Sequence, residues 1–490
     1  MVIALSLVVP AAVAVWLLGA GRDLSHRSVN RLALAASGAT LVAVVVAVLT
    51  RPTVDRPWVP ALDLRWQLAV DGISAPLLVM TAVLGVAVVA HSSSRRPEGG
   101  TPAAFHACLL LVEAGALATF YARDAILFFV AFEVVLVPMW VLITRFGDAH
   151  RPQDRADAGG RFVLYTALGS TLMLVGILAL VGAAGTADLD VLARGAGSGI
   201  PRSTQLLIAL ALVSGLAVKV PLFPGHTWLP PAHTIAPTAG SVLLAAVLLK
   251  MGTYGLVRLP VAVVPDAFAR LAPAVAVVGA TGILWGGLAC LVERDLKRLI
   301  AYSSVAHMGF VALGLASGTR TGLQAALFAN VAHGVVSALL FFIVGGLKER
   351  WGSADLAVAR AALREVSPRL GFALVVGLAA SLGLPGLAGF WGEFLSLYAV
   401  WSPAEELPLG LFRATAVAGA LGTVLAAAYA LRVARTVWMG ERSTPVIADS
   451  RGVEWLVVGG LVVAALVLGV LPQVLLSVTS DAVTALVGGS

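Results

Sequence analysis

The sequence predicts an all-α polytopic membrane protein with about 14 transmembrane helices. Of the 490 residues, 59% are hydrophobic and only 12% are charged, whereas a soluble domain is roughly half apolar and a quarter charged. Apolar segments of about 20 residues, the length of a helix that crosses a bilayer, recur along nearly the whole chain. The predicted spans are residues 2–20, 29–50, 72–90, 103–121, 124–144, 162–183, 205–225, 237–257, 270–291, 299–317, 322–346, 367–400 (broken), 411–431 and 454–475.

The loops between these spans carry an uneven charge. Counted together with the first three residues of the span that comes next, loops that follow odd-numbered spans contain 21 lysine and arginine residues, and loops that follow even-numbered spans contain 10. Because basic loops tend to stay on the cytoplasmic side of a membrane, both termini are predicted to lie outside. The same distribution explains the net charge of +7, so we expect no nucleic acid partner.

Two spans are interrupted by proline and glycine. The first break reads KVPLFPGHTWLPPAH, residues 219–233, and the second reads GLPGLAGFWGEF, residues 383–394. Broken helices at matching places in two halves of a chain are typical of an internal repeat with an ion site near the middle of the membrane. Proline kinks that only bend a helix are the alternative. The repeat is favoured because each break carries an ionisable residue, Lys219 in the first and Glu393 in the second.

Lysine is rare in this chain, and its positions are unusual. There are 29 arginines and four lysines, and two of the lysines, Lys219 and Lys250, lie within apolar segments. Arginine stays charged at any pH that a protein meets, whereas a desolvated lysine can lose its proton. An inert lysine held by a partner is the alternative, but an ionisable group inside a membrane is by default a functional residue. The pattern therefore indicates buried lysine side chains that can lose their positive charge by releasing a proton.

Seven ionisable residues fall within apolar segments, and each costs a few kcal/mol at the bilayer centre unless it is paired or hydrated. They are Glu113, Glu133, Lys219, Lys250, His307, His333 and Glu393. Glu133 has no polar neighbour in AILFFVAFEVVLVPMW, so we expect a partner on another helix, and Lys219 is the candidate. A static ion pair that pins two helices is the alternative. For Glu113, a hydrogen bond to a neighbouring helix is a sufficient explanation.

Lys250 and the two histidines have polar neighbours at helical spacing. Thr253 and Tyr254 share the face of Lys250, which suggests a short polar relay, although snorkelling of Lys250 to the interface is the alternative. His307 and His333 each have hydroxyl or amide neighbours on their own helix, which favours a hydrated proton path over a purely structural role.

The sequence contains no pattern that would hold a cofactor. It has no GxGxxG motif and no Walker loop, and its two cysteines, Cys108 and Cys290, lie alone in separate spans. Two isolated cysteines do not match the cysteine spacing of an iron–sulfur cluster or of a metal site. We therefore expect no cofactor and no metal in this chain, and a protein that moves charge.

The longest motif runs from residue 218 to residue 258 and reads VKVPLFPGHTWLPPAHTIAPTAGSVLLAAVLLKMGTYGLVR. It resembles the signature of the antiporter-like, Mrp-related, proton-translocating membrane subunits of respiratory complex I (NADH–quinone oxidoreductase), and within them the chain M (chain 4) group. Supporting motifs are LLLVEAG at 109–115, FEVVLVPMW at 132–140, DLKRLIAYSSVAHMGF at 295–310, NVAHG at 330–334 and GLPGLAGFWGEF at 383–394.

The resemblance implies roles for six residues. Glu133 would pair with Lys219, the central proton-carrying lysine of the first half. Lys250, His307 and His333 would form the connecting relay, and Glu393 would be the terminal proton site toward the outside. One position departs from the family, which usually has an aspartate where this chain has Pro231; this departure puts in doubt a capping or proton-entry role for that position.

The resemblance also implies an architecture and a cellular context. It implies a single antiporter-like membrane domain over residues 1–490, with two inverted five-helix repeats that each contain a broken helix. The parts would be N-terminal helices in 1–100, a first repeat in 103–258, a second repeat in 270–431 and a last helix in 454–475. The chain would lie in a bacterial inner (plasma) membrane with other membrane subunits of a complex I-like assembly.

The implied activity is proton translocation as a subunit of NADH:quinone oxidoreductase. The flavin, the iron–sulfur clusters and the quinone are expected in partner subunits, and this chain would hold no redox site. The alternatives are a subunit of a cation/proton antiporter, a subunit of a related membrane-bound hydrogenase or dehydrogenase, and a scaffold subunit whose buried charges serve only packing.

Overall fold

The computed structural model describes residues 1–21, 23–62, 64–94, 97–356, 362–440 and 447–487. These residues form α-helices and one two-stranded antiparallel hairpin, β1 Val54–Val59 and β2 Leu64–Leu68, in which Val54 lies opposite Leu68. The helices are α1 Val2–Gly19, α2 His26–Thr50, α3 Ser74–His91, α4 Pro102–Tyr121, α5 Ala125–Val134, α6 Leu136–Thr144, α7 Pro152–Ala184, α8 Leu189–Gly195, α9 Arg202–Lys219, α10 Leu229–Ile235, α11 Thr238–Leu243, α12 Leu249–Leu256, α13 Pro265–Val292, α14 Leu296–Ala316, α15 Arg320–Trp351, α16 Leu363–Val366, α17 Pro368–Ser381, α18 Ala388–Trp401, α19 Leu409–Val433, α20 Gly452–Val470 and α21 Gln473–Val487.

The prediction of a polytopic helical membrane protein is confirmed. Within the described residues, 13 helical segments are long and apolar enough to cross a membrane. The remaining predicted span, 367–400, is present as two helices of 14 residues each, α17 and α18. Two features were not predicted from the sequence: the β-hairpin between α2 and α3, and α21 after the last span.

Several helices of the described chain begin directly after a polar residue that caps them. Asp124 caps α5 by accepting from the backbone N–H groups of Ile126 and Leu127. Asp295 caps α14 and Thr319 caps α15 in the same way. Such caps satisfy backbone donors that have no partner within the helix, and they fix where each span enters the membrane region.

The two predicted breaks are present. α9 ends at Lys219, and the helix resumes at Leu229, because the prolines at 221 and 224 lack the N–H that a continuing helix needs. In the second break, Gly383 and Gly386 adopt φ values of +75° and +87°, which side chains with a Cβ rarely adopt. A Cβ on Gly383 would lie 2.7 Å from an oxygen of Glu393, so glycine there also leaves room for that carboxylate.

The chain forms two compact units. The first comprises Met1–Val220, Ile235–Ala272 and the described residues from Val478 onward. The second comprises Pro221–Thr234 and the described residues of Pro273–Ser477. An 18-residue apolar stretch of the span Thr238–Val261 is fully buried in the chain, and the span includes two π-helical turns, Leu244–Leu248 and Val257–Val261. In the second unit, an 18-residue apolar stretch of α15 is likewise fully buried.

A cluster of buried charges fixes loops of the first unit. Asp71, in the loop before α3, binds Arg258 at 2.5 Å and Arg123 at 2.8 Å. Arg123 also contacts Asp190 at 3.3 Å. Burial alone would raise the pKa of Asp71, but Arg258 and Arg123 outweigh it and hold the pKa well below its usual range.

We expect Asp71→Asn to lower the free energy of unfolding by about 3 kcal/mol, because it removes the shared counter-charge of two buried guanidinium groups. Since folding lowers the pKa of Asp71, this contribution is present above the unfolded pKa of about 4 and is lost as the pH falls toward the folded value. Thermal denaturation of the purified protein at neutral and acidic pH measures it.

The matched control is Asp157→Asn, which breaks the exposed pair of Asp157 with Arg161. Exposed pairs contribute about 0–1 kcal/mol, so its midpoint should stay close to that of the unmodified protein. Equal shifts in the two variants would contradict a stabilising role for the buried cluster.

Candidate functional site

The first candidate site lies at the end of α9, in the first unit. Lys219 is the last residue of α9 and is 3% exposed. Its ammonium lies 4.9 Å from the centre of the Phe132 ring and 5.9 Å from the centre of the Phe162 ring. Aromatic faces at such distances attract a cation. The charged form of Lys219 is therefore partly supported within a largely apolar pocket.

Glu133 reaches this pocket from α5. One of its carboxylate oxygens accepts a hydrogen bond of 2.5 Å from the Ser170 hydroxyl on α7, and Ser170 lines the same pocket as Lys219. Glu133 interacts electrostatically with the Lys219 ammonium. The direct hydrogen-bond partner of the carboxylate is thus Ser170, which the sequence analysis did not single out.

Two glycines bring the helices of this site together. A Cβ on Gly169 of α7 would lie 2.8 Å from the carbonyl oxygen of Gly215 on α9, and a Cβ on Gly215 would lie 2.5 Å from the carbonyl oxygen of Gly169. Only glycine permits so close a crossing of two helix backbones. This crossing places Ser170, the residue after Gly169, on the wall of the Lys219 pocket.

Lys250 is fully buried and points back along its own span. Its ammonium donates a hydrogen bond of 2.9 Å to the carbonyl oxygen of Ala245. Ala245 lies in the π-helical turn Leu244–Leu248, and such a turn departs from the regular i→i−4 bonding of an α-helix. With this hydrogen bond, the Lys250 side chain stays buried inside the chain and does not extend toward the membrane interface.

The neighbours of Lys250 have partners of their own. The Thr253 hydroxyl donates to the carbonyl oxygen of Leu249 at 3.4 Å, and the Tyr254 hydroxyl donates to that of Phe120 at 3.0 Å. On the same helix as Lys250, a Cβ on Gly252 would lie 3.1 Å from the Cβ of Lys219 on α9. The helix that carries Lys250 therefore packs closely on the end of α9.

The second candidate site lies in the second unit and joins four polar side chains. His307, on α14, contacts a carboxylate oxygen of Glu393 through Nδ1 at 3.0 Å. Its Nε2 lies 2.9 Å from the Ser381 hydroxyl. The His333 ring, on α15, is 5.5 Å from the His307 ring, centre to centre. All four side chains line one pocket.

His307 can hold a proton or give it up without losing either partner. When Nδ1 donates to the carboxylate of Glu393, Nε2 can accept from the Ser381 hydroxyl in the neutral ring or donate to it in the charged ring. A serine hydroxyl can serve in both directions. The arrangement therefore supports both protonation states of the imidazole.

The second helix break creates this arrangement. Ser381 is the last residue of α17, and Glu393 lies in the second turn of α18. An unbroken helix would separate these residues by about three turns. Because the chain turns at Gly383 and Gly386, both side chains reach His307.

Two other residues from the sequence analysis lie apart from these sites. Glu113, on α4, accepts a hydrogen bond of 2.9 Å from Ser37 on α2, as expected for a group that binds a neighbouring helix. Pro231 lies in the first turn of α10, where a proline does not remove a helical hydrogen bond. Among the described residues, no group of three or more histidine, cysteine, aspartate or glutamate side chains is arranged to hold a metal ion.

Known proteins resemble the chain in both sequence and fold. Residues 122–417 match the model of the NADH:quinone oxidoreductase/Mrp antiporter transmembrane family. The chain is 35% identical over 435 residues to NAD(P)H-quinone oxidoreductase chain 4 1 of Nostoc sp.. The aligned region covers 87% of this chain and 78% of the Nostoc protein. It is 36% identical over 455 residues to NADH-quinone oxidoreductase subunit M of Rhodobacter capsulatus, with 88% and 84% covered. A chain of respiratory complex I from Thermus thermophilus with bound NADH superposes with a TM-score of 0.86 at 28% identity, with 99% of this chain and 100% of that chain covered.

Proposed function

The chain belongs to the NADH:quinone oxidoreductase/Mrp antiporter family of membrane proteins, and from this premise we propose that it is the proton-translocating chain M (chain 4) subunit of an NADH:quinone oxidoreductase. Family membership was predicted from the motifs at 218–258 and 383–394 and is confirmed by the match over residues 122–417. The six site residues and their roles are part of the proposal.

The observation that carries the proposal is the bonding of His307 to both Glu393 and Ser381, at 3.0 and 2.9 Å. A buried imidazole with a carboxylate on one nitrogen and a hydroxyl on the other is suited to accept and pass on protons. A purely structural histidine needs no carboxylate, and a carboxylate inside a membrane is costly unless it has a function.

In the first unit, Lys219 would switch between its charged and neutral forms. Burial disfavours the ammonium, whereas the Glu133 carboxylate and the carbonyl groups at the end of α9 favour it. A shift of Glu133 from Lys219 toward Ser170 would weaken the support for the charge. Lys219 would then release its proton, and the return of Glu133 would favour uptake of the next one.

The proposed path continues from Lys219 through Lys250, His307 and His333 to Glu393. Lys250 is fully buried and donates to the Ala245 carbonyl. Burial disfavours its charged form, so it is suited to hold a proton only briefly. Glu393 is the terminal site because its carboxylate can retain a proton before release. Water within the helix breaks would complete the path.

The energy for this movement would come from other subunits. We assign the flavin, the iron–sulfur clusters and the reduction of quinone to those partner subunits, and we assign proton movement to this chain. Motion or charge change at a subunit contact would shift Glu133 and start the sequence of transfers.

The architecture that fits this function has two inverted five-helix repeats, 103–258 and 270–431, within one membrane domain. The N-terminal helices in 1–100 precede them, and the last helix in 454–475 follows. With basic loops in the cytoplasm, both termini lie outside a bacterial plasma membrane, and Glu393 belongs to the half of the path that leads outward.

Purification through an affinity tag on this chain tests the assignment to a redox complex. We expect co-purified subunits with flavin and iron–sulfur absorption, and NADH-dependent quinone reduction that acidifies inverted membrane vesicles. The reason is that this chain would have no energy source of its own. A chain that purifies without redox subunits and exchanges sodium for protons would contradict the proposal.

A subunit of a cation/proton antiporter is the second candidate, because the matching family model includes the Mrp antiporters. The two functions differ in their driving force. An antiporter would acidify or alkalinise vesicles in response to a sodium gradient without NADH, whereas the proposed subunit would respond to NADH in the absence of sodium.

A further inference from the structure

Beside Glu393, the second unit contains a buried hydroxyl with no hydrogen-bond partner among the described residues. Ser396 lies on α18, three residues after Glu393 and on the same face. Its side chain is fully buried, and its hydroxyl has no partner in the described chain. Buried hydroxyl groups nearly always have a partner, and in a polar gap a water molecule commonly supplies it.

A close helix crossing lies next to this hydroxyl. α14 and α15 cross at Gly314 and Gly322. A Cβ on Gly314 would lie 2.7 Å from the carbonyl oxygen of Gly322 and 3.2 Å from the Ser396 hydroxyl. A Cβ on Gly322 would collide with the Gly314 carbonyl and with the Ser317 hydroxyl. The two glycines therefore let α14 and α15 approach so closely that carbonyl and hydroxyl oxygens of this crossing lie beside Ser396.

From this crossing, hydroxyl groups lead to the surface of the chain. The Ser317 hydroxyl donates to the Gly314 carbonyl at 2.8 Å and lies 2.9 Å from the Thr319 hydroxyl. Ser317 is fully buried, and Thr319, which caps α15, is half-buried. The series ends at the face where α14 ends and α15 begins, which the charge distribution of the loops predicts to be the outer one.

We propose that Ser396, Ser317 and Thr319 form the release arm for protons held at Glu393. The proposal rests on the proposed function, because it needs Glu393 to be a proton site. Water held by Ser396 accepts the proton of Glu393 and passes one of its own protons toward Ser317 and Thr319. At each oxygen one O–H bond forms as another breaks, so the transfer needs no further reactant.

Ser396 acts in this arm by holding the water in line between Glu393 and Ser317. Ser396→Ala removes the hydroxyl and leaves the packing of α18 intact. We expect the rate of NADH-driven proton translocation by the assembled complex to fall about fivefold, the factor that corresponds to the loss of one hydrogen bond. We also expect the ratio of rates in H2O and D2O to rise, because proton release becomes the slow step, and a packing defect would not change that ratio.

The matched control is Thr415→Val, which deletes a buried hydroxyl of α19 that donates to the Phe412 carbonyl at 2.8 Å. Its translocation rate and isotope ratio should equal those of the unmodified complex. If Ser396→Ala fails to assemble, Ser317→Ala provides the test and should raise the isotope ratio in the same way. Unchanged rates and ratios in the assembled serine variant would overturn the release arm.

Glu393→Gln separates the failure of this arm from the failure of the proposed function. If Glu393→Gln translocates protons normally, the proposed function is wrong at Glu393, and the arm falls with it. If Glu393→Gln stops translocation and Ser396→Ala does not slow it, only the arm is wrong. If Glu393→Gln stops translocation and Ser396→Ala slows it, Ser396→Ala should have no further effect in the Glu393→Gln background.

Discussion

Glu393→Gln is expected to stop NADH-driven proton translocation while the complex still assembles. The amide keeps the volume of the side chain, and its oxygen can still accept from Nδ1 of His307, which lies 3.0 Å from the carboxylate. It cannot take up and release a proton, however. Loss of a positioned acid or base costs roughly 10²- to 10⁴-fold in rate, so the residual rate should lie below 1% or so of the unmodified rate.

Fluorescence quenching of a pH-sensitive dye in inverted vesicles measures this rate. Electron transfer from NADH to an acceptor that bypasses quinone reports how much complex is assembled. Glu405→Gln is the matched control, since Glu405 is an exposed carboxylate in a loop of the same unit, and it should leave both activities unchanged. Normal quenching by an assembled Glu393→Gln complex would show that the proton path does not pass through this carboxylate.

The fold could be predicted because hydrophobicity and charge act over whole segments. A run of about 20 apolar residues has few alternatives to a membrane-spanning helix, and the prolines of the first break have direct backbone consequences. The hairpin formed by β1 and β2 escaped prediction because its strands have six and five residues. Such short segments carry too little periodicity to distinguish them from loops.

The charged members of the candidate sites could be named from the sequence because charge is rare inside apolar spans. Their hydroxyl partners could not. Ser170 and Ser381 are two of many serines, and only their positions after folding relate them to Glu133 and His307. Ser396 lies at helical spacing from Glu393, but its burial without a hydrogen-bond partner among the described residues is visible only in the fold. Serine on a membrane helix usually bonds back to its own backbone, so its sequence context carries no signal for the few that do not.

For Lys250, the sequence identified polar neighbours, but it did not show which groups they bond to. Helical spacing placed Thr253 and Tyr254 beside it, but their hydroxyl groups bond to the carbonyls of Leu249 and Phe120. The π-helical turn before Lys250 provides the Ala245 carbonyl. No residue type in VLLAAVLLK marks that turn, because its bonding depends on the packing of the whole span.

Lys219→Arg is expected to stop proton translocation even though the positive charge is retained. The ammonium of Lys219 lies over the Phe132 ring and interacts with Glu133, and an arginine at this position would keep both interactions. It would not lose its proton, however, because the intrinsic pKa of a guanidinium exceeds that of an amine by about two units or more, and each unit is a factor of ten. The expected fall in rate is therefore at least about 10²-fold.

Lys348→Arg is the matched control for this substitution. Lys348 lies on α15 in the second unit and donates to the Thr234 carbonyl at 3.3 Å. An arginine can make the same bond without any change of protonation. Translocation by this variant should therefore equal that of the unmodified complex, which separates the effect of arginine at Lys219 from a general effect of the substitution.

The number of protons translocated per NADH oxidised, measured for the assembled Lys219→Arg complex in sealed vesicles, tests most directly whether Lys219 must lose its proton. We expect a ratio well below that of the unmodified complex and of Lys348→Arg, with the amount of assembled complex unchanged. A ratio equal to the unmodified value would contradict the claim that this site alternates between a charged and a neutral form.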